Sequence, residues 1–395
     1  MILPLTLHLV LISAVVVEPP APADDPPLVT RAAVKAAIDR GANWIIDHQR
    51  EDGAYGSYQG DAGITALALA ALAGCPRAYR EEDGPFISKG VEYLLANRHP
   101  DGAIYNEGQG LRNYKTSMSI LALTALDRGR SEPRYREVVS AAREFVSGLQ
   151  CSEGSKPAPY DREVNRRAYG GIGYGSDRRP DLSNTQLALE ALAASGMVED
   201  SEVWARARIF IGRCQNRAES NDFLDGKEHR STEDGGFFYY PGESKAENVK
   251  NPDGSTSYSS YGGMTYAGVK SFIHAGLTRD DPRVKSALEW IRGHYTVDEN
   301  PGMATPENPE RGQMGVYYYY GVMARALELV GEPVIVDHKG QKHRWAADLA
   351  RKLISLQQGD GSWVNRVDRW WEGDPTVTTA YAVSTLSIWF RSLKE

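Results

Sequence analysis

Gln357-Gln358-Gly359-Asp360-Gly361-Ser362-Trp363 ends one amphipathic segment, and Thr379-Ala380-Tyr381-Ala382-Val383-Ser384-Thr385-Leu386 opens the next. This passage decides the fold because the chain contains it more than once. Near the beginning, Val34 to Gln49 is followed by Asp52-Gly53-Ala54-Tyr55 and then Thr65-Ala66-Leu67-Ala68-Leu69-Ala70-Ala71-Leu72. Weaker copies between them bring the total to six. Each copy reads as an amphipathic helix, a glycine turn with aromatics, and a helix of small and apolar residues. One such hairpin cannot bury its apolar face alone, so repetition implies neighbours that bury one another. The expectation is an all-α, (α/α)6 toroid: six helical hairpins in a closed ring, with long loops on one rim.

Apolar residues spaced by three and four mark six outer helices, around Val34/Ile38/Ile45, Val91/Leu94/Leu95, Val138/Ala142/Phe145/Leu149, Val203/Phe210/Ile211, Val284/Leu288/Ile291/Tyr295 and Leu349/Leu353/Leu356. Pro133, Asp281 and Pro282 act as start signals. The inner helices align on a Thr followed seven residues later by a large apolar residue. The pairs are Thr65/Leu72, Thr116/Leu123, Thr185/Leu192, Thr265/Phe272 and Thr379/Leu386, with Tyr320/Leu327 in the fifth copy. Gly74, Gly129, Gly196, Gly276 and Gly331 follow these helices as stops. Two connections, about residues 151–181 and 216–264, are long enough to suggest functional loops.

Composition bounds the rest. The chain has 395 residues, 41% hydrophobic and 25% charged, which is globular and compatible with one large repeat domain. A formal charge of -7 argues against a nucleic-acid partner, which would need a basic stripe. Leu5 to Val17 is an apolar run too short to span a bilayer, and Ala21-Pro22-Ala23 follows it. Residues 1–23 are therefore expected to be a secretory signal, although no Lys or Arg precedes the run, and 24–395 a single toroid domain. The mature chain would be secreted or periplasmic, with no membrane span. Three cysteines, Cys75, Cys151 and Cys214, do not make a disulfide scaffold. Buried thiols are expected, with a Cys151–Cys214 bridge as the alternative.

The segment Gln357 to Trp363 resembles the Gln-Trp repeat of squalene and terpene cyclases, and the Thr379-Ala380 helix resembles theirs too. The likeness covers about Leu28 to the C-terminus and extends to the prenyltransferase and squalene-oxidase-repeat proteins. It implies six inner helices around a central cavity and six outside. The superfamily hosts unrelated chemistries, so it marks fold better than function.

That resemblance also implies where chemistry would lie. Class II terpene cyclases protonate an alkene with an Asp-x-Asp-Asp motif whose middle Asp stands two residues before the Thr. Here that position holds Gly63, Tyr114, Ser183, Gly263, Tyr318 or Val377. Asp61 and Asp181 match only the outermost Asp, and Asp374 lies one residue further out. Protein prenyltransferases place zinc on Asp-x-Cys and a later His, and no cysteine here has that spacing. No metal and no cofactor are expected, and His274 and His294 read as structural.

The cavity mouth offers other candidates. Tyr55, Tyr58, Tyr174, Tyr258, Tyr261, Tyr317, Trp363 and Trp370 read first as turn wedges and second as candidate ligand-binding rings. Arg112, with Lys115, Arg178 and Arg179, offers charge for an acidic ligand. Asp61, Asp181 and Asp374 read first as helix N-caps and second as acid/base carboxylates. His229, Glu233 and Asp234, in the longest loop, read as a solvated charge run. The preferred expectation is an exported toroid holding a small isoprenoid, glycan or peptide ligand without turnover. The alternatives are a polysaccharide lyase or hydrolase, or a divergent terpene cyclase; the oligomeric state is left open.

Overall fold

The computed structural model describes residues 29–155, 159–175 and 179–392; the leader segment and Arg178 lie outside them. Among the described residues, outer and inner helices alternate. The outer set is α1 (Arg31–Asp47), α3 (Pro85–Ala96), α5 (Arg136–Gly148), α7 (Glu202–Arg213), α9 (Pro282–Gly293) and α11 (Trp345–Leu356). The inner set is α2 (Ala62–Gly74), α4 (Arg112–Asp127), α6 (Leu182–Ala194), α8 (Gly262–His274), α10 (Val316–Val330) and α12 (Pro375–Ser392). Each inner helix packs on the next, and α12 packs back on α2. The ring is closed, and the fold is an α/α toroid.

The repeated Thr has a defined task. In five copies its Oγ1 accepts the backbone N–H of a residue in the preceding turn. Tyr55 reaches Thr65 at 2.9 Å, Ile104 reaches Thr116 at 3.0 Å and Ile172 reaches Thr185 at 3.0 Å. Phe237 reaches Thr265 at 3.1 Å and Trp363 reaches Thr379 at 3.0 Å. Each bond satisfies a buried amide that would otherwise be an orphan. In the fifth copy Tyr320 uses its own hydroxyl instead, donating to Val297 O at 2.8 Å.

The repeated Gln joins one hairpin to the next. Gln49 Nε2 donates to Gly53 O in its own turn (2.8 Å) and to Phe86 O in α3 (3.0 Å). Gln150 does the same with Gly170 O and Val203 O of α7, and Gln215 with Gly235 O and Arg283 O of α9. Gln357 completes the circle, donating to Gly361 O and to Ala37 O of α1, both at 2.9 Å. The turn glycine must approach that neighbouring helix closely. At Gly361, with φ +95°, a Cβ would sit 2.8 Å from Arg40 O of α1. Trp363 is fully buried at this seam, where α1 makes room for it with Gly41.

Some expectations are amended. Tyr295 and Leu149 fall just past the ends of α9 and α5, which stop at Gly293 and Gly148. Gly74 is the last residue of α2, without the positive φ that Gly129, Gly196, Gly276 and Gly331 adopt. The loop after α7 is not structureless. It carries β1 (His229–Arg230), β2 (Asn248–Lys250) and β3 (Thr256–Tyr258), ordered β1-β3-β2, with β1 parallel and β2 antiparallel to β3. A short hairpin of β4 (Ile335–Val336) and β5 (Lys342–His343) links α10 to α11. All three cysteines are buried and outside any disulfide, so Cys151 and Cys214 are not bridged.

Gly361→Ala should destabilise the fold by about 1–3 kcal/mol, through a strained positive φ and the contact with Arg40 O. Gly359→Ala, two residues away in open space, should stay within about 0.5 kcal/mol of wild type. Urea unfolding of both variants measures the contrast.

Candidate functional site

A cavity of about 620 Å³ opens at the N-terminal ends of the inner helices. Its wall follows from helix geometry. The repeated Thr turns outward to its loop, and a residue two positions earlier lies roughly 200° around the helix, facing the centre. All six such positions line the cavity: Gly63, Tyr114, Ser183, Gly263, Tyr318 and Val377. Leu67 and Tyr381, one helical turn further in, line it deeper. These are the positions at which the cyclase resemblance would put its proton-donating Asp, and none is acidic here.

Hydroxyls bridge the depth of the cavity. Tyr114 and Tyr381 share a hydrogen bond at 3.0 Å between α4 and α12, and Ser183 Oγ meets the Tyr318 hydroxyl at 3.4 Å between α6 and α10. Tyr174, Tyr239, Tyr261 and, at the rim, Tyr58 complete the phenols; Trp370 and Trp371 stand at the mouth. The lining thus holds seven tyrosines, two tryptophans and no phenylalanine. Every aromatic ring in it carries a polar tip. Burial pushes the phenols of Tyr114, Tyr239, Tyr261, Tyr318 and Tyr381 above the ordinary range, so they stay protonated.

The acidic groups are committed to local partners. Asp61 caps α2 through Gly63 N (2.8 Å) and Ile64 N (3.0 Å), and its other oxygen pairs with Lys115 Nζ at 2.6 Å. Lys115 is 1% exposed and also donates to Gln109 at 2.6 Å and Asn106 at 3.2 Å. Asp374 is equally buried and accepts from Ser57 N, Ser57 Oγ and Thr376 N, all at 2.8 Å. Asp181 caps α6 through Asn184 N and also accepts from the Asn184 side chain, both at 2.8 Å; burial raises its pKa. Glu372 is 1% exposed at the start of α10, accepting from Tyr318 N (2.7 Å), Tyr317 N (3.2 Å) and Asn365 Nδ2 (2.8 Å). Desolvation outweighs these donors and pushes its carboxyl up to about 7.

Of the residues singled out in the sequence, Asp61, Asp374, Tyr58, Tyr174, Tyr261 and Trp370 line the cavity. Asp181 lies behind Asn184, which takes the place in the wall. The other five are directed elsewhere. Tyr55 donates to Phe86 O at 3.1 Å, and the Trp363 indole to Leu353 O at 2.7 Å, both as wedges beneath the turns. Tyr317 is buried in the main core, and Tyr258 in a satellite cluster with Phe223, Leu224 and Phe238. The Arg112 guanidinium lies 4.9 Å above the Tyr105 ring and is not part of the lining. Lys115, offered with Arg112 as charge for an acidic ligand, lines the wall, as do Tyr239, Lys245 and Trp371, and Glu372 stands close behind it. Among the described residues no group of three His, Cys, Asp or Glu side chains could hold a metal ion, and no helix is long and apolar enough to cross a membrane.

No protein-family model and no curated protein matches the chain. Solved structures do. The type II terpene cyclase MstE from Scytonema is 17% identical, with 92% of this chain and 100% of that chain covered at a TM-score of 0.50. A variant of it in complex with geranylgeranyl dihydroxybenzoate, its substrate, gives 17% identity, 92% and 99% coverage and the same TM-score of 0.50. A glycosidase variant is 12% identical over 92% of this chain and 98% of that one, with a TM-score of 0.49. The terpene cyclase likeness establishes the toroid and leaves the chemistry to this chain's own residues.

Glu372 supplies a test of the electrostatics. Its folded pKa of about 7 lies above the ordinary 4.5, so the folded state holds this proton more tightly than the unfolded chain. The contribution is intact below pH 4.5 and is lost as pH rises towards 7, by no more than about 3 kcal/mol. Denaturant titrations should show wild type losing stability across that window and Glu372→Gln losing less. Parallel curves would remove Glu372 as the cause.

Proposed function

We propose that this chain is an exported binding protein that takes the end of a glycan into its tyrosine-lined cavity and holds it without turnover. The observation that carries this reading is the lining: seven tyrosines and two tryptophans with no phenylalanine, interleaved with Gln109, Asn184, Asn300 and Lys245. A saccharide presents apolar C–H faces and a fringe of hydroxyls, and such a wall meets both. The volume of about 620 Å³ suits a small ligand. Retention without turnover is supported by the carboxylates. Asp61 and Asp374 are saturated with donors, and neutral phenols are poor bases for a lyase. Export rests on the apolar run Leu5 to Val17 with Ala21-Pro22-Ala23, and sequencing the N-terminus of the secreted protein checks it.

A second reading, an isoprenoid ligand, is favoured by the apolar strip Ile64, Leu67, Met264 and Val377 in the same wall. The MstE substrate carries a geranylgeranyl group, which adds to that reading. The two ligands respond differently to loss of a hydroxyl. Tyr114→Phe should weaken saccharide binding about fivefold in calorimetry, the worth of one hydrogen bond. The same change would leave a geranylgeranyl compound bound as tightly or more so. Tight geranylgeranyl binding with no response to neutral or acidic oligosaccharides would overturn the glycan reading.

A further inference from the structure

Trp370 and Trp371 lie outside the hydrophobic core, yet the chain holds them in costly positions. Both are in the left-handed backbone region, at φ +56° and +68°, where a residue with a Cβ loses roughly 1–2 kcal/mol. The two residues are 43% and 53% exposed, so neither is fixed by burial in the core. Both line the mouth of the cavity.

The strained pair is clamped from its C-terminal side. Glu372, the next residue, is fixed to the first turn of α10 by Tyr317 N and Tyr318 N, and Asn365 Nδ2 closes the loop onto the same carboxyl. Main-chain bonds repeat the closure: Asn365 N to Glu372 O at 3.1 Å and Asp374 N to Trp371 O at 3.1 Å. The Trp370 ring lies against Gly315, the residue before α10, where a Cβ would fall 2.7 Å from the indole. The Arg369 guanidinium stands 5.2 Å from the ring centroid, offering donors beside it.

We infer that Trp370 and Trp371 form an outer sugar-stacking subsite, positioned by Glu372, so that the protein grips an oligosaccharide whose end lies in the cavity. This rests on the glycan reading and extends it from a terminal unit to a chain of several units. Glu372 is a positioning residue: its carboxylate makes no approach to the ligand and acts by holding the loop. An indole supplies a broad apolar face to one side of a sugar ring and an N–H at its edge. Two adjacent indoles continuous with a pocket of polar-tipped phenols make a track leading outward from it.

The test uses full-length mature protein and cello-, xylo-, malto-, chito- and acidic uronate oligosaccharides of one to six units, titrated by calorimetry and tryptophan fluorescence. Wild type should bind one of these series, with affinity rising with length beyond the units held in the cavity. Trp370→Ala and Trp371→Ala should each weaken the hexamer about tenfold, near 1.4 kcal/mol, and leave the shortest binding unit unchanged. Glu372→Ala should reproduce that length-selective loss, while Glu372→Gln, which keeps an acceptor for the α10 amides, should recover most of it. Equal losses at all lengths, or wild-type hexamer affinity in both tryptophan variants, would overturn the outer subsite while leaving the cavity reading intact. A wild-type protein that binds none of these saccharides overturns both.

Discussion

One seam holds the molecule in its shape: the last hairpin must meet the first. Gln357 reaches Ala37 O in α1, Gly361 lies against Arg40 O, Trp363 packs over Gly41, and α12 packs on α2. The seam repeats what already joins hairpin to hairpin inside the ring, where Gln49, Gln150 and Gln215 each tie their own turn to the following outer helix. Closure therefore uses no special device. It applies the internal rule between chain positions 320 residues apart. A repeat array that stopped short of this contact would expose the apolar sides of α2 and α12.

Closure also makes the site. Six inner helices converge with their N-termini on one rim, each pointing its residue two before the Thr position at a shared axis. The convergence concentrates positive helix ends, and the chain answers with Asp61, Asp181 and Asp374 as caps. Each of these carboxylates accepts two or more hydrogen bonds in that task. On the reading proposed above, the binding character comes from the phenols between them. Burial keeps Tyr114, Tyr318 and Tyr381 neutral with their hydroxyls in hydrogen bonds, so the wall is apolar in area and polar at its points.

The fold was legible in the sequence because its determinants are local and recurrent: Thr under a turn, Gly within it, Gln before it. The six wall positions were legible for the same reason, being fixed two residues from each Thr. What escaped sequence reading depends on the approach of separate hairpins. Lys115 was named as a charge for a ligand, but its burial against Asp61 of the neighbouring hairpin was not visible. Glu372 matters because α10, from another copy, offers it two backbone amides. Tyr55 and Trp363 were drawn to the site by their position near the mouth, yet their side chains point under the turns, a direction set by packing. Tyr258 was misdirected by the small β-sheet in the long loop, which carries it into a separate cluster.

The closed ring is tested most directly by native-state hydrogen exchange read helix by helix. In a closed toroid the first and last helices are interior members of the packing, so amides of α1 and α12 should exchange with protection within about tenfold of α4 and α8. Protection falling by orders of magnitude at α1 and α12 while α4 and α8 stay slow would mean fraying ends, an open array, and no enclosed cavity.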